Sequence, residues 1–224
     1  MATGSPWVQP TENSVEALSH GMSHVDGVEL DLRLSTDGEL MLWHDELFSG
    51  NLPKKSRCPE LMESQEIREM GVDSFDDLLQ CKEFTTLWQT SSKTVNIELK
   101  VPHPVAKISD HANHLAKMIS KIDSSLVELD LPKRSTMIYG FSPKISEAVK
   151  ISQTKIPNTQ LSPHLRSWGK GKMKRLVGSP NFISNTVSGL VKDRRRKGMP
   201  VVGMALHYLH GWERFVHPGA PVSL

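Results

Sequence analysis

The stretch Val28-Glu29-Leu30-Asp31-Leu32-Arg33-Leu34 runs into Ser35-Thr36-Asp37-Gly38 and then Glu39-Leu40-Met41-Leu42-Trp43-His44-Asp45. Its first half alternates strictly. Val28, Leu30, Leu32 and Leu34 fall on one face and Glu29, Asp31 and Arg33 on the other, the period of a β-strand. Asp37-Gly38 is the dipeptide that best tolerates two positive φ angles, so it predicts a two-residue hairpin turn. With that loop Thr36 opposes Glu39, and counting back places Asp31 opposite His44 on the same face. Two carboxylates and a histidine then converge over a row of leucines. The convergence depends on register, because a loop one residue longer turns His44 to the other face.

The same pattern returns in Thr94-Val95-Asn96-Ile97-Glu98-Leu99-Lys100, where Val95, Ile97 and Leu99 oppose Asn96, Glu98 and Lys100. Pro102 and Pro104 end that strand. Between the two strands, helical spacing and cap residues predict short helices over 64–70 and 74–82, the second capped by Ser74. A helix over 14–24 precedes the hairpin, and a polar loop broken by Gly50 and Pro53, over 46–57, overhangs its far end. Beyond lie a helix over 108–122, a strand over 136–141, a helix over 143–152 and weak strands over 159–162 and 181–184. A basic helix over 187–197, stopped by Gly198, leads to a strand over 201–206 and an irregular tail. Strands separated by helices imply parallel pairing and an α/β fold. Polar residues at strand ends, with apolar residues on the opposite face, fit a (β/α) barrel whose site lies at the C-terminal mouth. An open doubly wound sheet fits less well, since no glycine-rich phosphate loop follows any strand.

The chain has 224 residues, enough for one sizeable domain over 1–224 with irregular ends at 1–10 and 207–224. Its 38% hydrophobic and 23% charged residues are the proportions of a globular protein, and a net charge of +2 is too mild to imply nucleic acid. Cys58 and Cys81 belong to no metal or redox motif and suggest a reducing compartment. No apolar run reaches the length of a membrane span, and residues 1–9 show no signal-peptide pattern, so a soluble, cytoplasmic protein is the expectation.

Glu29, Asp31 and Glu98 form an all-oxygen set suited to Mg²⁺ or Ca²⁺ if their strands are neighbours, and a divalent cation would relieve their mutual repulsion. The plainer reading is a structural network in which Glu29 pairs with Arg33 or Lys100. His44 is the acid/base candidate. Lys100, on the face of Glu98, is placed to hold an anionic oxygen or to form a salt bridge with Glu98 or Glu29. The basic runs over 170–175 and 192–197 read as solvated surface, with attraction to an anionic headgroup as the alternative. His103, between prolines, reads as a loop residue.

These residues resemble the glycerophosphodiester phosphodiesterase family. Its Pro-Glu-Asn-Thr helix start, Glu-Leu-Asp strand, Thr-x-Asp-Gly turn, His-Asp pair and later Glu-Leu-Lys strand are matched here by the following residues. They are Pro10-Thr11-Glu12-Asn13-Ser14, Glu29-Leu30-Asp31, Thr36-Asp37-Gly38, His44-Asp45 and Glu98-Leu99-Lys100. From Thr136 the likeness is looser, through Tyr139-Gly140-Phe141-Ser142 and residues 198–206.

The resemblance implies a TIM barrel of the phospholipase-C-like phosphodiesterase type. It also implies metal-dependent hydrolysis of a glycerophosphodiester or lysolipid to glycerol 3-phosphate and an alcohol. Glu29, Asp31 and Glu98 would hold Mg²⁺ or Ca²⁺, His44 would shuttle a proton and Lys100 would bind the phosphate. The family's opening His-Arg-Gly strand and closing Gly-Ile-Ile-Thr-Asp strand find no counterpart, so the expected barrel lacks its first and last strands and one catalytic histidine, which would impair turnover. A non-catalytic barrel that binds phosphodiesters or lipid headgroups, and a phospholipase-D-like lyase that forms cyclic phosphates, are the alternatives.

Overall fold

Helices form where apolar residues recur at helical spacing behind a capping side chain, and strands where they alternate. The computed structural model describes residues 8–90 and 93–160. Along these run α1 (Val15–His24), β1 (Gly27–Leu34), β2 (Leu40–Leu42), α2 (Ser64–Glu69), α3 (Phe75–Gln80), α4 (Lys82–Thr90), β3 (Thr94–Leu99), α5 (His111–Glu128), β4 (Thr136–Gly140), α6 (Ile145–Ser152) and β5 (Asn158–Gln160). Ser14 caps α1 by accepting from the Ala17 N–H, and Ser74 closes a capping box with Asp77 at the start of α3. Asp110 caps α5, which therefore starts later than the spacing predicts and continues to Glu128, burying Leu126. α4 was not anticipated. Its two buried aromatics, Phe84 and Trp88, lie one helical turn apart, and Thr85, Thr86 and Thr90 around them weaken the helical signal.

The sheet order is β2-β1-β3-β4-β5. β1, β3, β4 and β5 run parallel, and β2 folds back antiparallel on β1. One face is apolar. Leu30, Leu32, Val95, Ile97 and Ile138 share a single buried cluster with Leu18 and Met22 of α1, Phe75 and Leu78 of α3, Phe84 and Trp88 of α4, Leu115, Met118, Ile119 and Ile122 of α5, and Ile145 and Ala148 of α6. Glu29, Asp31, Arg33, Asn96 and Glu98 alternate with these residues and occupy the opposite face. Helices packed against one face of parallel strands, with polar side chains on the other, make the wall of a (β/α) barrel; a doubly wound sheet carries helices on both faces. No helix among the described residues is long and apolar enough to cross a membrane. The features expected over 161–224, including both basic runs and the strands over 181–184 and 201–206, lie outside the described residues.

The hairpin register corrects the sequence reading. Leu34 pairs with Leu40, Arg33 with Met41 and Leu32 with Leu42, so the loop spans Ser35 to Glu39 and is longer than two residues. Only Gly38 has a positive φ, at 85°, whereas a two-residue turn of the expected type needs two. Asp37 is engaged elsewhere: its carboxylate accepts from Ser35 Oγ (2.5 Å), Ser64 N (3.0 Å) and Ser64 Oγ (2.6 Å), tying the turn to the first residue of α2. Trp43, not His44, therefore faces Asp31 across the hairpin, and its N–H donates to the Asp31 carbonyl (3.2 Å). The strand ends at Leu42, so the pleat does not aim His44.

Gly27 opens β1 where it meets β3 most closely. A Cβ there would lie 2.4 Å from the Thr94 carbonyl oxygen, a backbone atom that cannot move aside. Gly27→Ala is expected to destabilise the chain by about 1–3 kcal/mol, the usual cost of overpacking. A urea melt checks this, and an unchanged midpoint would show that the two strands separate readily.

Candidate active site

Parallel register carries the acidic side chains to one place. Asp31 pairs with Glu98 across β1 and β3, Glu98 with Tyr139 across β3 and β4, and Glu29 with Asn96 one step below. Paired residues on neighbouring strands point to the same face, so alternation and register together gather the carboxylates. Glu29, Asp31 and Glu98 each offer an oxygen, and these oxygens lie within 4.8 Å of one another.

Two further side chains hold the cluster together. Lys100 Nζ stands 2.8 Å from Asp31 Oδ1 and 2.6 Å from Glu98 Oε1, with all three side chains largely buried. The Tyr139 hydroxyl donates to Glu29 Oε1 at 2.7 Å. Burial, then the neighbouring Asp31 charge, pushes the Glu29 carboxyl up to about 7, although Tyr139 opposes the shift. Glu29 keeps some surface open to solvent, yet protein crowds its carboxyl closely enough for desolvation to lead. Burial also raises Glu98, against the pull of Lys100. For Lys100 burial works towards the neutral form, but its bonds to Asp31 and Glu98 outweigh it and raise the pKa. Burial and the Glu29 carboxylate raise the Tyr139 phenol, so it stays a donor.

His44 lies on the exposed rim. Its Nδ1 is 2.8 Å from Asp45 Oδ1, and it is close enough to Glu98 for a protonated ring to lower the Glu98 pKa. The structure thus brings Glu29, Asp31, Glu98 and Lys100 into direct contact or near-contact and leaves His44 beside them, reached from the loop after β2. His103 Nδ1 accepts from the Val105 N–H (3.1 Å) and caps the short turn Pro104–Ala106, and its Nε2 lies 3.8 Å from Glu46 Oε2. The alternative pairing of Glu29 with Arg33 does not occur, since Arg33 binds Glu60 (2.7 Å) instead.

Two contributors escaped the sequence reading. Tyr139 stood in a strand already expected, and only the β3–β4 register reveals its partner. Asn13 lies just before α1. With φ at 57°, it pairs its side-chain amide with the backbone of Asp31, Nδ2 donating to the carbonyl (3.0 Å) and Oδ1 accepting from the N–H (3.1 Å). The metal ligand set expected of Mg²⁺ or Ca²⁺, oxygen donors only, fits these three carboxylates.

A parallel sheet with helices on one face, and an acidic cluster near the strand ends on the other, defines the class of α/β-barrel proteins. Within it, the model of the glycerophosphoryl diester phosphodiesterase family matches residues 4–203, and the chain belongs to that family. Solved structures share the fold at low identity. A glycerophosphodiester phosphodiesterase from Parabacteroides distasonis aligns at a TM-score of 0.56 with 16% identity, over 87% of this chain and 77% of that one. An Oleispira antarctica phosphodiesterase in complex with the product sn-glycerol-3-phosphate aligns at 0.51 and 16% identity, over 75% and 67%. One from Thermotoga maritima aligns at 0.52 and 16% identity over 84% of this chain, which spans 65% of that protein's length. No curated protein sequence matches.

Glu29 titrates from about 7 when folded and from its ordinary 4.5 when unfolded. The folded chain thus binds the extra proton between those values, and this stability is fully present below the lower one and lost as pH rises through the upper. Glu29→Gln should therefore raise the melting temperature of the metal-free protein at pH 8 and change it little at pH 4. Equal gains at both pH values would show that Glu29 is not protonated on folding.

Proposed function

We propose that this chain hydrolyses a glycerophosphodiester to glycerol 3-phosphate and an alcohol, with Mg²⁺ or Ca²⁺ held by Glu29, Asp31 and Glu98. The convergence of those three carboxylates on neighbouring parallel strands carries the reading, and family membership supports it. Bound there, the cation would neutralise phosphate charge and polarise the attacking hydroxyl. The remaining work falls to the chain's own side chains. Lys100, released from Asp31 and Glu98, turns to a phosphate oxygen and stabilises charge that builds up there. Asp45 fixes one ring nitrogen of His44, leaving Nε2 to deliver a proton to the leaving alcohol oxygen. Tyr139 keeps Glu29 oriented. Lysolipids are substrates of the same chemistry. Two free thiols, Cys58 and Cys81, support a reducing, cytoplasmic setting.

Glycerophosphocholine with Mg²⁺ or Ca²⁺ should yield glycerol 3-phosphate. EDTA should abolish turnover, and His44→Ala should lower kcat by about 10²–10⁴-fold, the usual contribution of a positioned acid. Metal binding without turnover would instead support a non-catalytic, headgroup-binding barrel, and a persistent cyclic phosphate would support the lyase. Metal affinity should also rise by on the order of tenfold per pH unit up to about 7, as Glu29 loses its proton. Isothermal calorimetry measures this, and a flat profile would remove Glu29 from the ligand set.

A further inference from the structure

Arg33 lies on the acidic face of β1, two residues beyond Asp31, and is 2% exposed. Its guanidinium reaches three separate segments. Nη1 donates to Glu60 Oε1 (2.7 Å) and to the Val101 carbonyl (3.1 Å), and Nη2 donates to the His44 carbonyl (3.2 Å). Glu60 is itself buried, and the Cys58 thiol donates to its other oxygen (3.0 Å). The anion that anchors Arg33 is therefore fixed on both sides.

We propose that Arg33 is a positioning residue that holds His44 and Lys100 in one frame with the acidic cluster. The inference rests on the roles given to those two residues above. Stability alone does not account for the arrangement, because a buried ion pair loses in desolvation much of what it gains and apolar replacements are often as stable. The destination of the donors is more telling. One arm ends on the main chain of His44 itself, and the other on the residue that follows Lys100. His44 lies beyond the end of β2 and Lys100 just past β3. The last rungs tying them to β1 are the Trp43 N–H to the Asp31 carbonyl (3.2 Å) and the Lys100 N–H to the Leu32 carbonyl (3.1 Å). Arg33 supplies the bonds beyond those rungs. One planar fork, whose nitrogens lie at set spacing on a rigid group, locks the two segments to β1, the strand that carries Glu29 and Asp31. A lysine at 33 keeps the charge opposite Glu60 but places all its donors on one nitrogen and cannot span the same acceptors.

Arg33→Lys and Glu60→Gln test this in the full chain. For Arg33→Lys, kcat on glycerophosphocholine should fall about 10–100-fold, the effect of roughly ångström misplacement of reacting groups. Calorimetric Mg²⁺ affinity should stay near wild type, because Glu29, Asp31 and Glu98 keep their places on β1 and β3. The His44 ring proton resonance, assigned by its loss in His44→Ala, should broaden or split in both variants as the loop loses its tether. A sharp His44 signal at the wild-type position in both variants overturns the proposal, as does an Arg33→Lys enzyme with wild-type kcat. Should Arg33→Lys not fold, Glu60→Gln, which keeps the guanidinium, decides by the same resonance. A wild-type chain without turnover sinks the proposed function, and the resonance, read without substrate, then decides the tether alone.

Discussion

Three carboxylates held within 4.8 Å of one another are the constraint around which the structure is arranged. At that separation, with an effective dielectric near 20, each fully ionised pair repels by roughly 3 kcal/mol. Three such pairs would consume most of the stability of an ordinary domain. The protein relieves the repulsion in two ways. Lys100 lies between Asp31 and Glu98 and offsets their charge. Glu29, which forms no ion pair among the described residues, takes a phenol donor from Tyr139 and a raised pKa. A divalent cation would relieve the same repulsion at once, which is the physical ground for the metal site proposed above.

Much of this was legible in the sequence, because a period of two says which residues share a face and helix-separated strands say that the pairing is parallel. Alternation puts Glu29 with Asp31, and Glu98 with Lys100, on one face of each strand, and the four meet once the two strands are neighbours. Their consolidation could not. Tyr139 meets Glu29 across 110 positions of chain, and Arg33 meets Glu60 across 27. Neither contact leaves a local pattern. The position of His44 was misjudged for a different reason. The turn dipeptide Asp37-Gly38 carries the correct propensity, but a tertiary demand overrode it when Asp37 was recruited to cap Ser64. With the register shifted by one residue, the pleat no longer aims His44 at Asp31.

That shift leaves a structural problem, since a side chain beyond the end of a strand must still reach the mouth reproducibly. A second, smaller core supplies the platform. Met41, Phe48, Met62, Ile67 and Val72 are buried together, and Trp43 packs against Phe48 with the rings tilted at 40° and their centroids 4.6 Å apart. Met41 lies on the face opposite the leucines of β2, so this short strand is buried on both sides and contributes to two cores. The loop after it is not a free lid. Arg57 donates to the Phe48 carbonyl (2.8 Å) and the Leu52 carbonyl (2.7 Å), closing the loop on itself.

The division of labour follows from the physics of each part. Strands fix side chains to within fractions of an ångström, so they carry the groups whose mutual spacing decides whether a cation is bound. His44, the proton donor proposed above, sits on the loop after β2, where it can approach and leave a substrate. Main-chain hydrogen bonds from a rigid, buried guanidinium give such a loop the spatial definition of the strand beside it without burying the imidazole. The chain thus places its most costly polar groups, a buried arginine and a buried glutamate, where β1 and the two loops that follow β2 and β3 come together.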